Sequence, residues 1–538
     1  MRRIHPRAWL LVFLSAGLQI LIFPLPNLYG LCWVAFAPLL FALLRARRPD
    51  TLQLRTGSHL LPAKPGQAFA MAYACGILWY AGTCSWIYPT MRQYGGLNRA
   101  AAVGILLLFC LYLAIYHGVF GLLISLLAEP GTASRRALVA SPFAWVAVEL
   151  ARSRITAFPW NLLGTCQVDN IPLARLATVT GVYGLSFEIM LVNGAWAAGF
   201  LVRREKRTPL LLAALTATLA LQAGRLVQAP RERADELATL VQANVPVLAG
   251  ADWTRAYFQA TLQELSGFAS NPAAGDQPGF RLIVWPESPA PFYTSDPIFR
   301  TALSNLARDQ GAWVLVGAIG TSPGPESAPR AEINNSAQLV SPAGEWARRY
   351  DKVHLVPFGE YVPFERLFSF AGGLTKEVGD FSPGTARIPL AADGVKLGVF
   401  ICYESIFPNE IRQLAAQGAE VLVNLSNDGW YGDSGAYAQH LQQARVRAVE
   451  NGRWLLRDTN TGVTAAIDPY GSVVASLPRK VRGALLAPYA LSSRTTFYTR
   501  HGDWFAYLCA IIWGVAQVMP LRFPKRTQSQ DGDHRRRR

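Results

Sequence analysis

Charged residues are scarce in this chain of 538 residues, because they make up 16% of it while 51% of the residues are apolar. A soluble protein of this length normally has about a quarter of its residues charged. The apolar residues are concentrated in long runs at the two ends of the chain, which excludes a large soluble enzyme with an apolar core. The middle of the chain has the composition of an ordinary soluble domain.

Cysteine and histidine are also few, with seven of each. Their spacing is not typical of a zinc site or of a disulfide framework, so we expect no metal site. Six cysteines lie in or beside apolar runs and are predicted to be small packing residues: Cys32, Cys75, Cys84, Cys110, Cys166 and Cys509. Cys402 is the only cysteine in the soluble middle of the chain.

Acidic residues are too few to balance the basic ones, and the net charge is +16. Nucleic-acid binding is one explanation of such a balance, but the sequence has no recognition helix or stacking motif, so we expect no nucleic-acid partner. The basic residues cluster beside the apolar runs instead, as at 45–48, 203–207 and 535–538. This distribution indicates a basic side that faces a membrane.

Eight apolar segments approach the roughly 20 residues that a membrane-spanning helix needs. They cover residues 8–25, 28–46, 67–88, 100–127, 137–153, 175–202, 209–226 and 504–522. The fifth segment is the weakest, because Glu149 and Arg152 lie on it. We therefore expect a multi-pass α-helical membrane domain at 1–228, an outer domain at 229–490, and a last helix with a basic tail at 491–538.

The basic loops predict the orientation of these segments. If the N-terminus is cytoplasmic, the loops after the second, fourth and sixth spans and the C-terminal tail all fall on the cytoplasmic side. Both termini are then cytoplasmic and the middle domain lies on the outer face. A transporter or channel is the ordinary alternative for eight spans, but charges within the spans are sparse and no internal repeat is present.

In the middle domain, short apolar runs alternate with amphipathic stretches, which predicts an α/β layered fold. Strands are predicted at 237–241, 282–285, 313–318, 337–340, 397–402, 421–425 and 463–467, and helices at 253–266, 296–310, 408–417 and 436–451. Asp296 and Asn409 are the predicted N-caps. Residues 271–278 and 321–330 are rich in Gly, Pro, Ser and Ala and are predicted to be surface loops.

Three residues in this domain are candidates for chemistry. Glu287 and Cys402 follow or end predicted strands, where α/β sheets tend to form ligand sites, and Lys352 lies between them in the sequence. A carboxylate can take the proton of a thiol, while an ammonium favours thiolate and stabilises an oxyanion. The three together make an acyl-transfer site without histidine. His354 and His440 lack ligand spacing and are predicted to be structural or polar-loop residues.

Taken singly, each of the three has an ordinary alternative. A cysteine at a strand end is most often a buried packing residue. A glutamate after Trp-Pro is commonly a turn residue, and a lone lysine is usually a solvated charge. Separation in sequence does not prove proximity in space, so these alternatives stay open on spacing alone.

At these residues the sequence resembles the nitrilase superfamily, whose members use a Glu-Lys-Cys triad in a four-layer α-β-β-α sandwich. The resemblance rests on WPES at 285–288, HLVPFGEYVP at 354–363, CYE at 402–404 and NLSNDGWYG at 424–432. FPW at 158–160 and GVYGLSF at 181–187, together with the apolar segments, extend it to nearly the whole chain. The chain resembles the membrane-embedded branch of that superfamily, the apolipoprotein N-acyltransferase family.

The resemblance implies a role for each matching residue. Glu287 would be the general base, Lys352 the oxyanion stabiliser and Cys402 the nucleophile. Glu360 would hold Lys352 by a charged hydrogen bond, although an exposed loop carboxylate is the alternative. Tyr403 and Glu404 would shape the pocket, and the backbone N–H of Tyr403 would help to hold the oxyanion. The implied substrate-binding residues are Trp253, Asn335 and Trp430, with helix packing as the alternative for Trp253.

The resemblance also implies the reaction. An acyl chain would move from a phospholipid, with phosphatidylethanolamine as the expected donor, through a Cys402 thioester to the α-amine of an S-diacylglyceryl cysteine on an apolipoprotein. The enzyme would be a monomer in the bacterial inner membrane, with a periplasmic catalytic domain, lipid contacts and no metal or cofactor. A membrane-tethered amidase or nitrile hydrolase, and a lipoprotein-binding protein without activity, stay open as alternatives.

Overall fold

The structure, a computed structural model, describes residues 4–48, 60–128, 134–202, 204–247, 253–270, 279–322, 332–361 and 381–518. Several features used for the sequence predictions lie outside these ranges. They include the first arginines, the basic tail, the predicted loop at 271–278 and most of the predicted loop at 321–330. Thr321 and Ser322, which begin the second predicted loop, belong to a β-strand instead.

The N-terminal part is built from α-helices. These are α1 (Pro6–Leu21), α2 (Ala37–Leu44), α3 (Pro65–Thr83), α4 (Ile87–Gln93), α5 (Arg99–Leu126), α6 (Ser134–Ile155), α7 (Ile171–Ala174), α8 (Ala177–Thr180), α9 (Val182–Leu201) and α10 (Arg204–Ala223). Each of the seven apolar segments predicted before the middle domain contains a helix. Among the described residues, three helices are long and apolar enough to cross a membrane: Arg99–Leu126, Val182–Leu201 and Lys206–Leu226.

Two predicted spans are less regular than the sequence suggests. The second is split into a 3₁₀ turn, Tyr29–Trp33, and the short helix α2. The sixth becomes a continuous helix only at Val182, because Gly181 has a φ of 65° and separates α8 from α9. A residue in this left-handed region interrupts an α-helix, and glycine adopts it without steric cost.

The two charges on the fifth segment are accommodated within the helical part. Both side chains are buried, and α6 runs past them without a break. The backbone N–H of Leu163 donates to Glu149 Oε1 at 2.7 Å, and Arg152 Nη1 donates to the carbonyl of Trp160 and to the Tyr80 hydroxyl, each at 3.0 Å. Hydrogen bonds therefore offset the cost of removing these charges from water.

The middle domain contains two six-stranded sheets. Its strands are β1 (Glu236–Gln242), β2 (Leu282–Val284), β3 (Trp313–Ser322), β4 (Glu332–Val340), β5 (Trp346–Asp351), β6 (Leu390–Ala392), β7 (Val395–Ile401), β8 (Val421–Ser426), β9 (Leu455–Thr459), β10 (Thr464–Ile467), β11 (Val473–Leu477) and β12 (Gly483–Tyr489). The first sheet has the order β12-β1-β2-β3-β4-β5 and the second β11-β10-β9-β8-β7-β6. The inner strands β1–β3 and β7–β9 are parallel.

Helices cover the outer faces of both sheets and give the predicted α-β-β-α order. The helices of this domain are α11 (Arg255–Ala269), α12 (Pro297–Gln310), α13 (Pro408–Ala416) and α14 (Ala436–Asn451). Because side chains alternate along a strand, Val284 faces the second sheet while Ile283 packs under α11 and α12. In the second sheet, Val399 points inward and Phe400 packs under α13 and α14.

The sequence found seven of these strands and all four of these helices, but it missed β5, β6, β9, β11 and β12. Asp296 is an N-cap, because its carboxylate accepts the N–H of Phe299 at 2.9 Å. The predicted N-cap at Asn409 is wrong. Helix α13 begins at Pro408 with Phe407 as its cap, since proline suits the first helical position, and Asn409 lies inside the first turn.

The last helices in the described part of the chain are α15 (Phe497–His501) and α16 (Trp504–Val518), the latter within the eighth apolar segment. The apolar core of the N-terminal helices continues into the middle domain and includes Tyr403, Ile406 and Tyr431. The 3₁₀ turn that starts at Cys402 therefore lies where the core between the sheets meets the core of the helical part.

Candidate active site

Strand ends of the first sheet bring Glu287 and Lys352 together. Glu287 follows β2 after Trp285 and Pro286, and Lys352 follows β5. Between these two strands in the sheet lie β3 and β4. β4 carries Asn335, and the backbone N–H of Lys352 donates to the Asn335 carbonyl at 2.8 Å. The sheet order therefore places residues that are far apart in sequence on one edge.

The side chains of these residues form a buried charge cluster with Glu360. Lys352 Nζ lies 2.9 Å from Glu360 Oε1 and 3.4 Å from Glu287 Oε1. Asn335 Nδ2 donates to both carboxylates, at 2.8 Å to Glu287 and 2.7 Å to Glu360. All four residues are less than a tenth exposed, so the ammonium lies between two carboxylates in a site with little water.

Backbone amides hold the outer oxygens of the two carboxylates. The N–H of Asn427 donates to Glu287 Oε2 at 2.8 Å, and the N–H of Val356 donates to Glu360 Oε2 at 2.7 Å. Asn427 follows β8 of the second sheet, so Glu287 is bonded to both sheets. The predicted hydrogen bond between Glu360 and Lys352 is present, and Glu360 is not an exposed loop carboxylate.

Cys402 begins a tight turn at the end of β7 in the second sheet. Its φ is 48°, in the left-handed region that residues with a side chain rarely adopt. Such a conformation costs on the order of 1–3 kcal/mol and persists only when the surroundings enforce it. Its side chain is 6% exposed and interacts electrostatically with Glu287 and Lys352, which joins it to the charge cluster.

Glu404 ties the Cys402 turn to the segment that follows Lys352. Its Oε2 accepts the N–H of Ile401 at 2.7 Å, just before the cysteine. Its Oε1 accepts the N–H groups of Val353 and His354, at 2.9 and 3.1 Å. Glu404 therefore holds the two segments that carry Cys402 and Lys352 at a fixed separation.

The electrostatics of the site differ from the expectation of a resting thiolate. Burial and the Glu287 carboxylate raise the pKa of the Cys402 thiol above its ordinary value, and the Lys352 ammonium only partly opposes them. Burial alone would lower the pKa of Lys352, but the carboxylates of Glu360 and Glu287 raise it. Both shifts favour a protonated thiol and a charged ammonium at neutral pH, so forming a thiolate here would require a base.

The three other predicted residues make packing contacts. Tyr403 is buried, its hydroxyl lies 3.4 Å from the carbonyl of Ala157, and it is thus in contact with the helical part of the chain. Trp430 is half-buried and packs against Tyr94 of the segment after α4, with ring centroids 5.1 Å apart. Trp253 is half-buried before α11 and packs on Tyr257, as in the helix-packing alternative.

Sequence analysis assigned a different role to one residue of the site, Asn335, and missed the role of another, Asn427. Asn335 was predicted to bind substrate, but its amide nitrogen is committed to the two carboxylates. Asn427 was noted only as part of the 424–432 motif, although its N–H binds Glu287. Backbone donors leave no signal in sequence, so the motif was the only available hint. No group of three or more His, Cys, Asp or Glu side chains within the described ranges is arranged to hold a metal ion.

Residues 237–497 match the carbon-nitrogen hydrolase family, and residues 15–195 match the apolipoprotein N-acyltransferase N-terminal domain. Among solved structures, an amidase from Nesterenkonia sp. is 20% identical with a TM-score of 0.37, covering 52% of this chain and 98% of its own. A carbon-nitrogen hydrolase from Helicobacter pylori is 17% identical with a TM-score of 0.35, covering 52% and 92%.

Two curated relatives are named apolipoprotein N-acyltransferase. The one from Geobacter metallireducens is 36% identical over 534 residues, which is 97% of this chain and 96% of the relative. The one from Methylococcus capsulatus is 35% identical over 489 residues, which is 89% of this chain and 92% of the relative. With both parts of the chain matched and this identity over nearly its full length, the chain belongs to the apolipoprotein N-acyltransferase family.

Proposed function

We propose that this protein transfers a fatty acyl chain from a phospholipid to the α-amine of the N-terminal S-diacylglyceryl cysteine of apolipoproteins, through a thioester on Cys402. The observation that carries the proposal is the buried Glu287–Lys352–Glu360 cluster in electrostatic contact with a strained cysteine turn. That turn lies where the apolar core of the helical part begins, and we propose that a lipid ester approaches the sulfur from that side.

In the first half of the reaction, Glu287 takes the proton of the Cys402 thiol as the sulfur attacks the sn-1 ester carbonyl of the phospholipid. The C–S bond forms, and the charge that develops on the carbonyl oxygen is stabilised by the Lys352 ammonium. The C–O bond to the glycerol then breaks, and Glu287 returns the proton to the departing oxygen. The products are a lysophospholipid and a thioester on Cys402.

In the second half, the neutral α-amine of the lipoprotein attacks the thioester carbonyl. Glu287 accepts a proton from the attacking nitrogen, and Lys352 again stabilises the oxyanion. The C–S bond breaks, the sulfur regains a proton, and the amide of the triacylated product remains. Each step uses groups of this chain and the two substrates, with phosphatidylethanolamine as the proposed donor, and we propose no metal or cofactor.

The supporting residues have different proposed roles, according to the groups that they contact. Glu360 and Asn335 position Lys352 and Glu287, while a contact of Asn335 Oδ1 with substrate stays a prediction. Glu404 fixes the cysteine turn, and Tyr403 lines the pocket on the side of the helical part, with its N–H as a proposed oxyanion donor. Trp430 and Trp253 stay proposed as substrate-contacting residues.

We further propose that the protein is a multi-pass enzyme of the bacterial inner membrane that acts as a monomer among membrane lipids. The domain limits proposed from sequence are 1–228, 229–490 and 491–538, with eight spans and both termini cytoplasmic. The middle domain is then periplasmic. The helices in all eight apolar segments and the basic loops between them support this arrangement.

The proposal is tested by intact-mass measurement of the purified full chain after incubation with phosphatidylethanolamine in detergent. We expect the mass of one acyl chain to be added to the wild-type protein and none to Cys402→Ala. A diacylglyceryl lipopeptide added afterwards should receive that chain on its amine. Release of free fatty acid alone would support a membrane-tethered hydrolase instead, and full cellular function of Cys402→Ala would support a binding protein without activity.

A further inference from the structure

His440 lies directly behind the cysteine turn. It belongs to α14 and its side chain is completely buried. Its Nε2 lies 3.0 Å from the carbonyl oxygen of Cys402 and 2.7 Å from Oγ of Ser405, both in the same 3₁₀ turn. From sequence, this histidine was predicted to have only a structural or polar-loop role, yet its ring contacts the backbone of the proposed nucleophile.

The ring is held firmly on its other sides. Nδ1 lies 2.9 Å from Asp428 Oδ1 and 3.1 Å from Arg457 Nη2. These two partners are buried and bound to each other at 2.8 Å, so neither can turn away easily. The indole of Trp160, from the helical part of the chain, stacks on the imidazole with centroids 5.8 Å apart and planes 15° from parallel.

The turn that His440 contacts needs external support. Cys402 has a left-handed backbone, which is unfavourable for a residue with a side chain. Glu404 fixes the peptide before the cysteine by accepting the N–H of Ile401. His440 is placed to fix the peptide after it, because the Cys402 carbonyl belongs to that peptide.

We infer that His440 is a positioning residue, which donates its Nε2–H to the Cys402 carbonyl and thereby fixes the backbone conformation that directs the sulfur toward Glu287 and Lys352. The inference rests on the proposed role of Cys402 as nucleophile. A ring protonated only at Nδ1 would place two acceptors 3.0 Å apart, which is repulsive. On the other nitrogen, Arg457 Nη2 at 3.1 Å favours a proton on Nε2, whereas Asp428 Oδ1 at 2.9 Å accepts a proton from Nδ1. A ring that carries both protons satisfies the Asp428 carboxylate and the Cys402 carbonyl together.

Two amide substitutions that differ by one methylene test this role. In His440→Gln the side-chain nitrogen can reach the position of Nε2 and donate to the carbonyl, whereas in His440→Asn it reaches only the position of Nδ1. Gln442→Asn is the control, because it shortens another buried amide on the same helix, away from the turn. The readouts are the second-order rate of Cys402 alkylation by iodoacetamide, corrected with Cys402→Ala, and kcat and KM for acyl transfer.

We expect His440→Asn to lower the alkylation rate and kcat by about 10- to 100-fold at unchanged KM, since small displacements of a reacting group have effects of this size. His440→Gln should restore most of both rates, and Gln442→Asn should resemble wild type. Equal rates for folded His440→Asn and His440→Gln would overturn the inference. Alkylation by iodoacetamide needs no lipid, so it can be measured even if Cys402 never takes up an acyl chain. The alkylation rates therefore test the role of His440, and the uptake of an acyl chain tests the proposed role of Cys402.

If His440→Asn does not fold, the ring ¹⁵N chemical shifts of the wild-type protein decide the question. A proton on Nε2 of His440 supports the inference. A neutral ring protonated only at Nδ1 contradicts it, because such a ring cannot donate to the carbonyl.

Discussion

The two sheets of the sandwich contribute to the site in different ways. The first sheet supplies Glu287, Asn335 and, just after its last strand, Lys352. The polar groups of these residues and of Glu360 lie 2.7–3.4 Å apart. The second sheet supplies Cys402 on a left-handed turn. On one side, hydrogen bonds hold the charged groups in place. On the other side, the backbone conformation holds Cys402, the proposed nucleophile. Changes on the two sides should therefore have different signatures.

The largest effect is expected from Glu287→Gln, which removes the base supplied by the first sheet. We expect kcat for acyl transfer to fall by about 10²- to 10⁴-fold, the usual contribution of a general base, with little change in KM. The measurement is steady-state transfer from phospholipid to a lipopeptide. Glu264→Gln is the control, because this partly exposed carboxylate pairs with Arg482 away from the site. Activity of Glu287→Gln close to that of the control would show that the base lies elsewhere.

Lys352→Met should cost the most stability. It leaves the buried carboxylates of Glu287 and Glu360 facing each other without a cation, and breaking such a pair costs about 3–5 kcal/mol of the free energy of unfolding. Chemical unfolding in detergent measures this cost. The exposed Lys396 of β7 provides the matched Lys396→Met control, for which we expect almost no change. Equal losses in the two variants would contradict the described charge cluster.

Gly317→Ala tests how tightly the first sheet holds the Glu287 segment. An added Cβ would lie 2.2 Å from the carbonyl oxygen of Pro286 and 2.6 Å from the backbone nitrogen of Ser288. The segment must then shift, so we expect a loss of about 1–3 kcal/mol of stability and a lower kcat. Gly483→Ala at the far edge of the same sheet is the control, since nothing lies within 4 Å of its added Cβ. Equal kcat in both alanine variants would be evidence against the tight fit.

The smallest effect is expected in how the rate of Cys402 alkylation changes with pH. Because burial and Glu287 raise the pKa of the thiol, the rate should keep increasing well above about pH 8.5, the ordinary pKa of a thiol, where the rate of an ordinary thiol approaches its plateau. Glu287→Gln removes a negative charge and should lower that pKa, so alkylation near neutral pH becomes faster while acyl transfer is lost. A rate that levels off below neutral pH in the wild type would indicate a resting thiolate and contradict the described electrostatics.

The strands missed from sequence show why the fold was only partly predictable. β5 carries Arg348 and Arg349 and lies at the edge of its sheet, where one face meets water, so no apolar run marks it. β9 includes Arg457 and Asp458, which are completely buried because other parts of the chain bond them. Charged residues in a strand conceal it when their partners come from distant segments.

For the candidate site, the residues were easier to predict from sequence than their arrangement in space. Glu287, Lys352 and Cys402 were recognised from short motifs, but their proximity depends on the order of strands in two separate sheets, which no local pattern encodes. The bridge made by Asn335 and the contact of His440 with the Cys402 carbonyl depend on side-chain geometry. The candidate residues could therefore be found in the sequence, whereas the contacts that hold the Cys402 turn could not.

The fate of an isolated acyl-enzyme tests the central claim most directly. The full chain is loaded with a labelled acyl chain from phosphatidylethanolamine, freed of lipid, and divided between buffer and buffer with a diacylglyceryl lipopeptide. The account predicts that the label stays on Cys402 in buffer and moves to the lipopeptide α-amine within one turnover. Label that appears as free fatty acid in both samples, or that never attaches to Cys402, would contradict it.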